Sequence, residues 1–155
     1  MGPECQRPLW DIRHLMARKS RDLDQVALAR LRGAKLRPTR QRVELVGLLF
    51  RAGDRHVTAE SLHAEAARAG VHVSLATVYN TLHQFTEVGL LRQVVVDASR
   101  TYFDTNSGDH QHFFVEDEGT LIDIPGENIA VAGVPAPPKG MDIERIDVVV
   151  RVRRA

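Results

Sequence analysis

Residues 74–104 read SLATVYNTLHQFTEVGLLRQVVVDASRTYFD, and this stretch changes its period halfway. From Ser74 onward Val78, Leu82 and Phe85 recur at i, i+4 and i+7, one face of a helix that opens on a Ser74 cap and stops at Gly89. Leu90 to Val96 and Thr101 to Asp104 are short β-type runs around Asp97-Ala98-Ser99-Arg100, which reads as a hairpin turn. A helix running straight into a hairpin is half of a winged helix-turn-helix, and the other half lies upstream. Asp22 to Leu31 sets Leu23, Val26, Ala27 and Leu31 on one face and reaches Gly33, the expected C-terminal cap. Pro38 stands near the start of a second helix striped by Val43, Val46, Leu49 and Phe50. Thr58 caps a third, which runs through Leu62 and Ala66 to Gly70. Gly70 to Val73 then has the length of a helix-turn-helix connection.

Downstream the pattern weakens. Asn106-Ser107-Gly108-Asp109 is a polar break, after which His112 to Val115 and Thr120 to Ile124 read as strands around the acidic turn Glu116-Asp117-Glu118-Gly119. Pro125, Pro135, Pro137 and Pro138 leave room for a short helix near Glu127 to Ala132. Ile143 to Val152 alternates and then becomes continuously apolar, as a buried strand does. The expected fold class is α+β: an N-terminal extension over 1–21, a winged-helix domain over 22–105 and a small α/β domain over 106–155. So small a back domain buries too little surface to stand alone, so its sheet is expected to pair with a second copy in a homodimer.

The 155 residues are 43% hydrophobic and 26% charged, which suits a folded chain and excludes wholesale disorder. The longest aliphatic runs, Val94 to Val96 and Val148 to Val150, fall far short of the roughly 20 apolar residues a membrane helix needs. Arg7, Arg13, Arg18, Lys19 and Asp11 leave no apolar stretch for a secretory signal near the start. A single cysteine, Cys5, makes neither an internal disulfide nor a cysteine-based zinc site, so a cytoplasmic setting is expected. The net charge of +1 conceals an asymmetry. Residues 1–51 carry twelve Lys and Arg against five Asp and Glu, whereas residues 101–147 carry two against ten. A basic front suits a polyanion and an acidic back suits cations, although an ordinary solvated surface can show the same split.

Two constellations carry chemistry. The fourth helix offers Ala76, Thr77, Tyr79, Asn80 and His83 on its polar face, with Ser74 at its start. Small and hydrogen-bonding side chains of this kind read base edges, so the helix suits recognition of double-stranded DNA. Lys35, Arg37 and Arg40 would then hold phosphates or enter the minor groove, and Arg100 on the wing would touch the backbone. The second constellation is Asp104, His110 and His112, with Asp123 further on. On an extended strand the two imidazoles of His-x-His point the same way, and imidazole with carboxylate suits Fe(II), Mn(II) or Zn(II). His56, ahead of the third helix, is a fifth candidate that would tie the two domains through one ion. Two surface histidines are the plain alternative.

The runs Leu31 to Arg42, His56 to Leu62 and Leu75 to Leu82 together resemble the ferric uptake regulator (Fur) superfamily, with several motifs in order over residues 22–124. The resemblance implies a dimeric repressor that binds promoter operators. It carries the regulatory metal site onto His56, Asp104, His110, His112 and Asp123, most closely as in the peroxide-sensing branch, which also uses two aspartates. The family commonly holds a structural zinc in two Cys-x-x-Cys pairs; Val115 and Glu118 stand in place of the first pair, so no such zinc is expected. Asn80 stands where many members have arginine, and Gln111 interrupts what is often a run of three histidines. These departures, with His112-Phe113-Phe114 and the ending Ile146 to Arg154, are similar to the iron response regulator (Irr) branch. That branch implies control of iron and haem genes, haem as a ligand and a haem-delivering enzyme as a partner. Its haem-sensitive members carry Cys-Pro where Cys5 is here followed by Gln6, which leaves His110 and His112 as haem ligands. The readings are then an Irr-like metal- or haem-responsive regulator, a Fur- or peroxide-sensor-like Fe(II)/Mn(II)-dependent repressor, a small His/Asp metalloenzyme with Glu116 or Glu118 as base, and a metal-independent binding module. The ligand set leaves little vacancy for a substrate, which counts against the enzyme.

Overall fold

The structure is a computed structural model that describes residues 9–155, with side chains from residue 21 onward; residues 1–8, Cys5 among them, lie outside the described residues. Helix α1 (Leu9–Gly33) starts well before the expected Asp22 and runs unbroken past Arg21. Its end also differs from expectation. Gly33 is not the left-handed residue; Lys35 is, at φ 58°. The Lys35 amide donates to the Arg32 carbonyl and the Leu36 amide to the Leu31 carbonyl, both at 2.9 Å, closing a turn that satisfies two of the helix's last acceptors. Helices α3 (Ala59–Arg68) and α4 (Leu75–Glu87) end the same way on Gly70 and Gly89, at φ 75° and 76°. Each of the three turns sends an apolar residue, Leu36, Val71 or Leu90, back onto the same core.

Helix α2 (Arg40–Phe50) begins two residues beyond Pro38, because Thr39 is its cap and accepts from the Arg42 amide. Thr58 and Ser61 form a reciprocal capping box on α3, and Ser74 accepts from the Thr77 amide at the start of α4. Leu31, Leu45, Leu49, Leu62, Val78, Leu82 and Phe85, all fully buried, make the helical core.

Strands β1 (His56–Val57), β2 (Arg92–Asp97) and β3 (Arg100–Asp104) form an antiparallel sheet in the order β1-β3-β2. Strand β1 was not expected, since two residues carry no readable period. A second sheet, in the order β5-β4-β6, joins β4 (His110–Val115), β5 (Thr120–Pro125) and β6 (Val149–Val152), with β6 parallel to β4. Val94, Val96 and Tyr102 of the first sheet pack against Phe114, Leu121 and Val149 of the second. The guanidinium groups of Arg100 and Arg151 lie over the Phe114 ring, 5.8 and 5.6 Å from its centre.

Two expectations fail in the back half. The helix near Glu127 to Ala132 reduces to one 3-10 turn, Gly126–Asn128, with no side-chain cap and with Gly133 in the left-handed region soon after. The strand expected from Ile143 starts at Val149, because the preceding residues are held through side chains rather than a ladder. The register sets Ile122, Phe113 and Val150 in one row across the second sheet, on the face away from the first sheet. They are 54%, 36% and 36% exposed.

Candidate functional site

Strand register builds the first constellation. Pairing of β1 with β3 sets His56 opposite Asp104, and pairing of β4 with β5 sets His112 opposite Asp123. Asp123 sits within β5, and His56 lies ahead of α3, as expected, on the two-residue strand β1. His110 and His112 share a face, as the two-residue period of a strand dictates. One ligand atom from each of His56, Asp104, His110, His112 and Asp123 lies within 4.8 Å of all the others.

Asp104 Oδ2 is the hub, 2.7 Å from His110 Nε2, 3.0 Å from His112 Nε2 and 3.3 Å from His56 Nε2. Asp123 Oδ1 closes the ring at 2.8 Å from His56 Nε2. Burial opposes the ionised form of Asp104, but the His112 and His56 imidazoles beside it and the Asn106 amide outweigh burial and hold the carboxyl well below the usual range. Burial likewise disfavours a charged His56, yet Asp104 and Asp123 prevail and raise the imidazole above its ordinary value.

Two observations fit this set to a cation. His110 Nδ1 lies 2.9 Å from the Gly108 carbonyl, which only accepts, so Nδ1 carries a proton and Nε2 is the nitrogen turned toward Asp104. That nitrogen and the carboxylate oxygen, 2.7 Å apart, are held together by a proton or a metal ion between them. The His56 Nε2 atom is buried and makes no hydrogen bond, although two carboxylate oxygens stand close to it. The ligand-type atoms of all five side chains thus crowd around one point. His110 and His112 are 3% and 1% exposed, so both imidazoles lie inside the cluster rather than at the surface. Glu116 and Glu118, the candidate bases, pair instead with Arg153 and Arg154.

The second constellation is a surface. A concavity of about 250 Å³ between the start of α2 and the face of α4 is lined by Thr39, Arg42, Thr77, Asn80 and Gln84 among others. Lys35, Arg37, Arg40, Ser74 and Asn80 are exposed, and Thr77 is half-buried with its hydroxyl 2.8 Å from that of Ser74. Tyr79 is not simply solvent-facing. Its half-buried ring packs on the helical core and its hydroxyl donates to Glu60 Oε1 at 2.6 Å, which lowers the Glu60 pKa and raises that of the phenol. Arg100, expected at a nucleic-acid backbone, is exposed but turned over Phe114. Arg42 was missed in the sequence: it donates to the Arg37 carbonyl at 2.8 Å and to Gln84 Oε1 at 2.7 Å, joining the basic loop to α4. Only its neighbourhood with three other basic residues could have flagged it.

This architecture defines a class: a winged-helix protein with a His/Asp cluster able to hold a metal ion where its two sheets meet. Residues 33–150 match the model of the ferric uptake regulator family, and the chain belongs to that family. The ferric uptake regulation protein of Pseudomonas aeruginosa is 37% identical over 94 residues, 60% of this chain and 70% of that protein. The peroxide-responsive repressor PerR of Staphylococcus aureus is 30% identical over 97 residues, 63% of this chain and 65% of that one. A solved structure of the Pseudomonas aeruginosa regulator with manganese superposes with a TM-score of 0.65 at 31% identity, over 83% of this chain and 98% of that chain. These relatives are transcription regulators, not enzymes, and among the described residues no helix is long and apolar enough to cross a membrane.

Proposed function

We propose that the chain is a homodimeric repressor that binds operator DNA through residues 22–105 and reads a divalent metal through a site shared with residues 106–155. The observation that carries this reading is the convergence of three imidazoles and two carboxylates from both halves of the chain on one point. His56, Asp104, His110, His112 and Asp123 would hold the ion, which when bound supplies the positive charge that relieves the crowded lone pairs and carboxylates. Because β1 leads directly into the Thr58 cap of α3, holding His56 against β4 fixes the helix-turn-helix relative to the second sheet. Lys35, Arg37 and Arg40 are then phosphate contacts, and Ser74, Thr77, Tyr79 and Asn80 face the bases. Arg100 joins them by leaving Phe114. The outward row Ile122, Phe113 and Val150 supports pairing with a second copy.

The manganese in the Pseudomonas aeruginosa relative supports Mn(II) or Fe(II) as the ion, and Zn(II) shares the same donor chemistry. Within the family we place the chain with the iron response regulator branch, controlling iron genes, on Tyr79-Asn80, Gln111 and the two residues, Val115 and Glu118, that replace a cysteine pair. The test is operator binding measured in parallel with Mn(II), Fe(II), haem and chelator. Metal should change affinity about 5- to 150-fold relative to chelator. Equal affinity in all four conditions would overturn the sensing role, and no operator bound in any would overturn the regulator itself.

A further inference from the structure

Arg92 opens β2, directly after the turn that ends α4, yet it is only 6% exposed. A buried guanidinium needs acceptors, and the two terminal nitrogens of Arg92 find them at three places in the chain, whereas its Nε is buried without one. Nη1 donates to the His110 carbonyl at 2.8 Å and lies 3.4 Å from the Gly108 carbonyl. Nη2 is paired with the carboxylate of Asp147, in the segment that enters β6. The Gly108 carbonyl also holds Nδ1 of His110 and thereby sets which ring nitrogen faces the cluster. Arg92 thus grips the backbone on both sides of Asp109 and orients the imidazole between them and the cluster.

Asp147 is itself anchored. Arg145 Nε lies 2.9 Å from its other oxygen, and burial, which would raise its carboxyl, is outweighed by the bonds from Arg92 and Arg145. Gln111, the residue that interrupts the histidine run, accepts the Val148 amide at 2.6 Å and reaches the Ile146 carbonyl at 3.5 Å. The segment from Ile146 to Val148 is therefore tied to β4 and to β2 by side chains before β6 begins. These ties stand where a strand ladder was expected.

Resting on the metal reading above, we propose that Arg92 is a positioning residue of the metal centre, with Asp147 its anchor, and that the pair sets the aim of His110. The geometry makes ion binding depend on a residue of the winged-helix half that touches no ligand atom, and on a residue of the segment entering β6. Orienting partners of this kind change metal affinity about 10- to 100-fold when lost.

The experiment uses the full-length chain and titrates Mn(II) by the paramagnetic signal of the free ion, with Co(II) visible absorption as a report on ligand geometry. Arg92→Lys keeps the charge but cannot fork between carbonyl and carboxylate, and Asp147→Asn keeps the shape. Each is expected to weaken Mn(II) about 10-fold or more and to alter the Co(II) bands. Adding Arg92→Lys to His110→Ala should weaken binding less than about 2-fold further, since both act through one ligand. Arg153→Ala, which removes an exposed ion pair with Glu116 just beyond the ends of β4 and β6, should leave both signals unchanged. Thermal midpoints that fall while Mn(II) affinity and Co(II) bands stay as in wild type would overturn the positioning role. A wild-type chain that binds neither ion would instead overturn the metal reading, and this inference with it.

Discussion

The two halves of the chain hold themselves together by different means. In the front half three helices end on the same left-handed turn, each sends an apolar side chain back inward, and fifteen buried apolar residues close one core. The back half has a three-stranded sheet whose outer row is uncovered and a 20-residue stretch without regular structure, secured by Arg92, Gln111 and ion pairs at the acidic turn. Its inner face shares five buried residues with the wing. The lesson is that the front half carries its stability internally, whereas the back half leans on the wing and leaves an outer apolar row and a cluster of ligand-type side chains unfilled by its own residues. Sensitivity to a ligand is easiest to build into the half with the least stability of its own.

That contrast is open to attack at several points. Phe85→Ala empties a fully buried position in the helical core and should cost about 3–5 kcal/mol in urea unfolding. Phe113→Asp, on the open row, should leave the monomer's unfolding free energy in urea within about 0.5 kcal/mol but weaken self-association by about 2 kcal/mol or more in sedimentation. An unchanged dimer would show that the uncovered row is not the interface. Val150, not Val149, belongs with this test, since Val149 packs inward against the wing.

Tyr79→Ala should weaken specific operator binding by about 1–3 kcal/mol, and Tyr79→Phe, which frees Glu60, by less. Glu65 gives a pH test of the front half. The Arg55 guanidinium holds its carboxyl below the ordinary 4.5, outweighing burial, with help from Arg51. A depressed carboxyl stabilises the fold fully above its unfolded value and loses that contribution as pH falls below 4.5 toward the folded value. Glu65→Gln should therefore cost about 1 kcal/mol at neutral pH and nothing once wild-type Glu65 is itself protonated, by urea unfolding across pH. The smallest effect is Lys35→Gly. Relief of the left-handed lysine should stabilise α1 by under about 1 kcal/mol, while the salt slope of operator binding should fall by about 1.

How much could be read in advance follows the same divide. The fold of residues 22–104 was legible because Val78, Leu82 and Phe85 keep a clear period and Thr58 and Ser74 announce their helices. The cluster was legible in its membership through the resemblance, but not in its construction, since the two-residue β1 has no pattern and register is invisible in a single sequence. The end of α1 misled because glycine is the usual left-handed residue and Lys35 takes that place. Arg92 went unnoticed because a lone arginine in a strand reads as solvent-facing; burial and three acceptors are tertiary facts.

Strand β6 lies parallel to β4, with His112 beside Val149, and so requires a long crossover between them. Contacts at such sequence separation form slowly, whereas the helical front is built mostly from neighbours in the chain. During synthesis β4 would emerge with its histidines and a bare edge and wait for β6 before its sheet is complete. The histidine strand is thus the early half of a late event, and a nascent chain halted before Val148 would expose an unpaired edge beside its own ligands, the kind of edge through which chains join strand to strand.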